Sequence, residues 1–215
     1  MKKNISLKDA VAKVKDGMTI MVGGFLGNGT PETIIDALVE SGVKDLTLIC
    51  NDSAYPEKGV GKLLVNGQLK KLIVSYIGAT PMASEMMNSG EIEVEFVPQG
   101  TLAERVRAGG CGIGGFLTPT GVGTVVAEGK QVINIDGRDY LLELPLHADV
   151  ALIGASIADK SGNLRYKGTT RNFNPLMATA ADVVIVEPQE LVETGSIEPD
   201  DVHTPGILVD YILEK

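Results

Sequence analysis

Short apolar runs rich in β-branched residues alternate with amphipathic helical patterns along nearly the whole 215-residue chain, and this alternation constrains the fold more than any other feature. A strand buried on both faces reads as a continuous apolar run, and two such strands joined through a helix lie parallel. Runs of this kind occur at Thr19–Gly24, Leu46–Cys50, Leu72–Ile77, Val94–Val97, Val150–Ile153 and Val183–Val186. Helical spacing separates them. Ser6 followed by Asp9 gives a capping-box-like start ahead of Leu7, Ala10, Val11 and Val14. Thr30 as cap and Pro31 in the first turn precede Ile34, Ile35, Leu38 and Val39, with Gly42 at the end. Further helical patterns cover Pro81–Asn88, Thr101–Ala108 and Pro175–Ala181. The alternation predicts an α/β fold, an open, mainly parallel sheet with helices on both faces. One segment departs from it: Gln131–Ile135, then Asp136-Gly137, then Arg138–Glu143 is the signature of a β-hairpin insertion. No linker, charge run or internal repeat divides the chain, so residues 1–215 are expected to form a single domain.

Glycine marks where to look for function. There are 26 in 215 residues, well above the ~7% of average usage. Eleven fall in two stretches, Gly23, Gly24, Gly27 and Gly29, then Gly109, Gly110, Gly112, Gly114, Gly115, Gly121 and Gly123. The first joins a buried strand to the next helix, at the carboxyl edge of the sheet where open α/β folds bind ligands. Its backbone N–H groups and the helix dipole behind them suit an anion, although a tight turn that binds nothing has the same composition. It is neither a Walker A motif nor G-x-G-x-x-G. Gly110, Gly112 and Gly115 do match G-x-G-x-x-G, but they follow a helix instead of a strand and run on into Thr118-Pro119-Thr120-Gly121. So many glycines predict a long loop, either functional or a mobile surface segment.

Two other places on that edge carry polar side chains. Gln99 stands where a strand meets a helix and has an amide able to donate to an oxyanion, or else to solvent. Asn51 and Asp52 end the second strand on that edge, or else cap a turn; Arg171, Asn172 and Asn174 precede Pro175, where two amides and a guanidinium could orient a carboxylate or carbonyl, or Asn174 could simply cap the helix. Glu104 and Arg107, three apart on one helix, make a surface ion pair.

Several classes of function are excluded. A net charge of -9 disfavours non-specific nucleic-acid binding. Cys50 and Cys111 form no C-x-x-C, and His147 and His203 belong to no carboxylate or cysteine pattern, so neither a disulfide framework nor a metal site is expected. No apolar stretch is long enough for a membrane span and Met1–Asp16 has no signal-peptide core, so a cytoplasmic location is expected and the Asn28 and Asn51 sequons have no glycosylation meaning. No G-x-S-x-G or H-E-x-x-H occurs.

The segment Asp16-Gly17-Met18-Thr19-Ile20-Met21-Val22-Gly23-Gly24-Phe25-Leu26-Gly27-Asn28-Gly29-Thr30-Pro31 resembles, without a departure, the first signature of the family I (3-oxoacid) CoA-transferases. Pro98-Gln99-Gly100-Thr101-Leu102, Gly114 to Thr124, Asn172-Phe173-Asn174-Pro175 and Thr204-Pro205-Gly206 also look like the A, or alpha, subunit, in particular that of bacterial acetate/butyrate-acetoacetate enzymes. The resemblance implies a heteromeric enzyme that moves CoA between short-chain acyl groups and carboxylates such as acetate, butyrate and acetoacetate. It implies CoA as a co-substrate, with no permanently bound cofactor. It also implies a ping-pong route through a glutamyl-CoA thioester, the glutamate lying in a Ser-Glu-Asn-Gly motif of a beta subunit. This chain has only Ser84-Glu85, followed by Met86-Met87, so the nucleophile is expected from a partner, in an α2β2 assembly. The same resemblance makes Gly24, Phe25, Leu26, Gly27, Asn28, Gly29 and Thr30 a CoA-binding segment and Gln99 an oxyanion donor. Asn51, Gly114, Gly115, Phe116, Asn172 and Asn174 become substrate-pocket candidates. Two rivals remain, a sugar-phosphate isomerase-like enzyme or hydrolase on a related sheet and a non-catalytic acyl-CoA-binding module.

Overall fold

The computed structural model describes residues 3–214; Met1, Lys2 and Lys215, the ends of the expected 1–215 unit, lie outside the described residues. The strands are β1 (Lys3–Ile5), β2 (Thr19–Val22), β3 (Leu46–Ile49), β4 (Leu69–Val74), β5 (Glu93–Phe96), β6 (Phe116–Thr118), β7 (Val132–Ile135), β8 (Arg138–Glu143), β9 (Ala148–Asp159), β10 (Leu164–Arg165), β11 (Ala181–Val192) and β12 (Tyr211–Leu213). The α-helices are α1 (Leu7–Val11), α2 (Glu32–Ser41), α3 (Gly61–Val65), α4 (Pro81–Ser89), α5 (Gln99–Gly110) and α6 (Asn174–Met177).

Nine strands form one sheet in the order β1-β12-β11-β9-β2-β3-β4-β5, with β10 paired to β9. Every pairing along that order is parallel, and only β10 runs antiparallel. From β2 the chain steps outward through β3, β4 and β5, then returns to the other side of β2 with β9. The boundary between β2 and β9 is therefore the point at which strand order reverses, and a crevice at its carboxyl ends is where such sheets bind ligands.

Alternation along each strand divides the core into two layers. Ile20, Val22, Leu48, Leu72 and Leu152 pack with Ile34, Ile35 and Leu38 of α2 and Leu63 and Leu64 of α3 on one face. Met21, Ile49, Ile73, Ala151 and Ile153 pack with Leu102 and Val106 of α5 and Met177 of α6 on the other. This is the expected sheet with helices on both faces. Ser6 caps α1, its Oγ accepting from the Asp9 N–H at 3.1 Å. The hairpin is also where its Asp-Gly turn placed it, with left-handed backbone at Asp136 (φ 50°) and Gly137 (φ 80°).

Two expectations are corrected. β9 and β11 are each 12 residues long, because their carboxyl halves continue past β2 as a paired ribbon with Glu190 opposite Ile157. The second glycine stretch is not one loop: α5 extends through Gly109 and Gly110, and β6 pairs with β8 in a separate antiparallel sheet, β6-β8-β7. Its glycines permit close packing. A Cβ on Gly109 would lie 2.0 Å from the Leu146 carbonyl oxygen and one on Gly110 would lie 2.1 Å from Thr179 Oγ1.

The small sheet is fastened to the large one by charge. Lys71 bridges Glu93 (2.8 Å) and Glu95 (3.1 Å), Glu95 meets Arg105 (2.8 Å), and Arg105 donates to the Leu144 carbonyl (2.8 Å) and approaches Glu143 (3.9 Å). Glu143, 2% exposed, takes Lys130 at 2.6 Å. Carboxylates on edge strand β5 also discourage pairing with another chain. Glu143→Ala is predicted to destabilise the protein by about 2 kcal/mol, since it leaves two confined cations short of a partner. Thermal unfolding checks this, the expected shift being a fall of about 4–8 °C.

Candidate functional site

The first glycine stretch leaves β2 at Gly23, whose N–H donates to Leu152 of β9 (3.1 Å). Phe25 and Asn28 then exchange two backbone hydrogen bonds, 3.1 and 2.9 Å, closing a tight hairpin with Leu26 and Gly27 at its tip. Both tip residues have positive φ, 48° and 73°. A turn of this kind favours Asn-Gly or Gly-Gly, and holding a bulky residue there costs about 1–3 kcal/mol. Something must hold Leu26. Its N–H donates to both oxygens of the Asp52 carboxylate, at 3.2 and 3.0 Å. The same carboxylate takes the N–H of Ala54 at 2.7 Å, and Ala54 is also left-handed (φ 52°).

Asp52 is 6% exposed and Asn51 1% exposed, where the chain leaves β3. Asn51 is held in place by backbone bonding to the continuation of β4: its carbonyl accepts from the N–H (3.2 Å) and Oγ (2.7 Å) of Ser75. Its Nδ2 donates to Asp52, and its Oδ1 accepts from Nε2 of Gln99. Gln99 is the first residue of α5, exposed where β5 ends. Thus Gln99, Asn51 and the first glycine loop, chosen separately in the sequence, form one hydrogen-bonded chain. Cys50 lies beside it but is inert: burial and the Asp52 charge push its thiol well up, and its Sγ donates to the Asp52 carbonyl.

On the β9 side the loop is braced by two amides. Asn172 Oδ1 accepts from the Gly24 N–H (3.1 Å), and its Nδ2 donates to the Asn28 carbonyl (2.9 Å). Asn174 is fully buried, its Nδ2 donating to the Gly29 (3.0 Å) and Thr170 (2.9 Å) carbonyls and its Oδ1 accepting from Gly154 (3.0 Å). It is the first residue of α6 and caps nothing, which removes the helix-cap alternative. In this structure both side chains hold the loop.

The expected anion cradle is in part taken up by the protein's own groups. Thr30 makes no side-chain cap, and the N-terminus of α2 is already occupied by Glu187 of β11, which accepts from the Thr33 N–H (3.3 Å), Thr33 Oγ1 (2.6 Å) and the Ile34 N–H (3.1 Å). The N–H groups of Gly24, Phe25, Leu26 and Asn28 are likewise consumed. What the loop presents is the Phe25 ring, 49% exposed, the Leu26 side chain and the Lys58 stem lying over Gly27. Lys58, Gly154 and Glu187 escaped the sequence reading because their partners are distant in the chain and follow no local spacing.

Gly114, Gly115 and Phe116 are not brought to this place. They follow the far end of α5, about 18 Å of helix away from Gln99, on the side where Gly109 and Gly110 meet Leu146 and Thr179 near the starts of β9 and β11. Glu104 is held by Arg107 at 2.5–3.0 Å, which keeps its carboxyl below the usual range. His147 is exposed, and His203 accepts the Tyr166 N–H on Nδ1 (3.0 Å), with burial and Arg171 lowering its pKa. No group of three or more His, Cys, Asp or Glu side chains suited to a metal occurs among the described residues.

Residues 4–215 match the family model for coenzyme A transferase. The chain belongs to that family. It is 57% identical over 211 residues to the acetate CoA-transferase subunit alpha of Escherichia coli K12, covering 98% of this chain and 96% of that one. It is also 57% identical over 201 residues to the acetoacetyl-CoA:acetate/butyrate CoA transferase alpha subunit of Clostridium acetobutylicum, covering 94% and 92%. Among solved structures, the acyl-CoA transferase of E. coli O157:H7 in a thioester complex with CoA shares the fold, with a TM-score of 0.87 at 22% identity. All of this coenzyme A transferase family chain is matched there, yet it spans about half, 47%, of that longer protein.

The loop's dependence on close packing generates a test. A Cβ on Gly154 would lie 2.3 Å from the Gly29 carbonyl oxygen, whereas one on Gly100, in the first turn of α5, meets nothing within 4 Å. Gly154→Ala is predicted to cost about 1–3 kcal/mol in chemical unfolding, and Gly100→Ala to be neutral or stabilising by up to ~1 kcal/mol.

Proposed function

We propose that this chain is the alpha subunit of a heteromeric CoA-transferase, in an α2β2 assembly, that moves CoA between short-chain acyl-CoA (acetoacetyl-CoA, acetyl-CoA or butyryl-CoA) and short-chain carboxylates. The beta subunit supplies the nucleophilic glutamate from its Ser-Glu-Asn-Gly motif. The observation that carries this reading is Gln99: an exposed amide at the carboxyl edge, one N–H spent on Asn51, whose other neighbour, the Asp52 carboxylate, has both oxygens engaged by N–H donors. Such a site holds a group to steady an oxyanion and no free carboxylate to attack. The names of the E. coli and C. acetobutylicum relatives support the substrates and the alpha-beta division.

In the proposed sequence the partner's glutamate attacks the thioester carbonyl, and the tetrahedral oxyanion accepts the second N–H of Gln99. Collapse expels CoA thiolate and leaves an acyl-glutamyl anhydride. The thiolate attacks the glutamyl carbonyl, releasing the first carboxylate and forming glutamyl-CoA, which the incoming carboxylate reverses. Gly24 to Thr30 contacts CoA in this reading. Because the N–H groups of Gly24, Phe25, Leu26 and Asn28 are taken up within the protein, the Phe25 ring and Leu26 suit the pantetheine arm, and Lys58, whose stem lies over Gly27, supplies a cation beside the loop for a phosphate. Asn51 positions Gln99; Asn172 and Asn174 hold the loop. A cytoplasmic setting is consistent with two free cysteines and with the absence, among the described residues, of a helix long and apolar enough to cross a membrane.

Gln99→Ala is predicted to lower kcat about 100-fold or more, as for one lost oxyanion donor, with co-purification of the two chains unchanged. Steady-state turnover of acetoacetyl-CoA with acetate measures it, and unaltered kcat would remove Gln99 from the chemistry.

A further inference from the structure

We infer that Asp52 is a positioning residue that sets the donor polarity of the Gln99 amide and, through the same carboxylate, the strained tip of the first glycine loop. The inference rests on the reading of Gln99 as an oxyanion donor and adds to it how that donor is kept facing the right way.

A glutamine amide can present either NH2 or C=O to a substrate, and the difference between them is the difference between stabilising an oxyanion and repelling it. The surroundings of Asp52 remove the ambiguity. Its two oxygens meet only donors: the Leu26 N–H, the Ala54 N–H and the Asn51 amide. An ionised carboxylate accepts and never donates. Asn51 must therefore turn its Nδ2 to Asp52, which leaves Oδ1 as the only atom it can offer to Gln99. Gln99 must answer with Nε2, so its second N–H remains on the exposed side for substrate. Each link forces the next, and all of it is anchored by one charge that is 6% exposed.

The loop half of the arrangement has the same origin. Of the five non-glycine residues with positive φ among the described residues, Leu26 and Ala54 both donate their N–H to Asp52, and a third, Asn172, braces the other side of the loop. Backbone strain is gathered where one carboxylate can hold it, and strained backbone of this kind collects at working sites.

Asp52→Asn keeps the shape but replaces one acceptor with an NH2 that faces donors, so Asn51 can flip and Gln99 can show its carbonyl to the substrate. With the partner subunit assembled, Asp52→Asn is expected to reduce kcat between about 10- and 100-fold, and to reduce it far less when Gln99 is already alanine. A kcat loss equally large in both backgrounds would overturn the inference, as would an Asp52→Asn enzyme with a lower melting temperature and full kcat. Should Asp52→Asn fail to fold, Asn51→Ala cuts the relay while leaving both backbone donors on Asp52, and the same non-additivity with Gln99→Ala is expected; additive losses there contradict the relay. The Gln99 side-chain NH2 resonances, read by NMR in the assembled enzyme with only this chain labelled, give an independent answer. They should shift and sharpen toward free-amide values in Asp52→Asn and Asn51→Ala, and spectra unchanged from the wild type would refute the polarity claim. If Gln99→Ala alone turns over normally, the functional reading fails while those spectra still decide the relay.

Discussion

Asn174 has no exposed surface, and its carboxamide joins pieces of chain that are remote in sequence: Gly29 of the first loop, Gly154 of β9 and Thr170 ahead of α6. A buried amide is tolerated only when its donors and acceptor are satisfied, and each one lost would leave a backbone group unpaired at about 1–3 kcal/mol. The lock also explains a glycine. A Cβ on Gly23 would stand 1.8 Å from Asn174 Oδ1, so the residue that follows β2 must lack one. Everything on the carboxyl edge follows from that seam between β2 and β9: the loop lies flat on Gly154, its tip reaches across to Asp52, and Asp52 reaches Gln99 through Asn51.

The seam narrows the crevice that open α/β sheets commonly leave for a ligand to a cavity of about 160 Å³ lined by Gly29, Gly154, Thr170 and Glu187. Glu187 occupies the helix terminus behind it. Gln99, on which the proposed function rests, lies instead where β5 ends, exposed on that edge. Aromatic side chains left exposed around that edge, Phe25 beyond β2, Tyr55 beyond β3, Tyr76 beyond β4 and Phe96 at the end of β5, belong to the same outward-facing side.

Much of this was legible in the sequence. Buried parallel strands announce themselves as apolar runs, and β2, β3, β5 and the β7-β8 hairpin fell within two residues of their expected bounds. The short elements β1, α3, β6, β10 and β12 escaped because two to five residues carry no period and are stabilised by neighbours far along the chain. Gln99, Asn51 and the first loop were rightly placed on one edge, since each follows a strand end. Which atoms they share was not legible, because Asp52 to Leu26 and Asn174 to Gly29 are pairings across 26 and 145 positions. The second glycine stretch misled for a related reason: glycine there serves helix packing against Leu146 and Thr179, and composition alone cannot distinguish close approach from freedom.

Half a site is a claim about where a bond forms, and it is tested by locating that bond. The assembled enzyme is incubated with acetoacetyl-CoA, treated with borohydride to reduce any enzyme-bound glutamyl thioester to the alcohol, and both chains are mapped by peptide mass spectrometry. The account predicts a single reduced glutamate in the partner subunit and an unaltered mass for every glutamate of this chain. A reduced glutamate in this chain would contradict it.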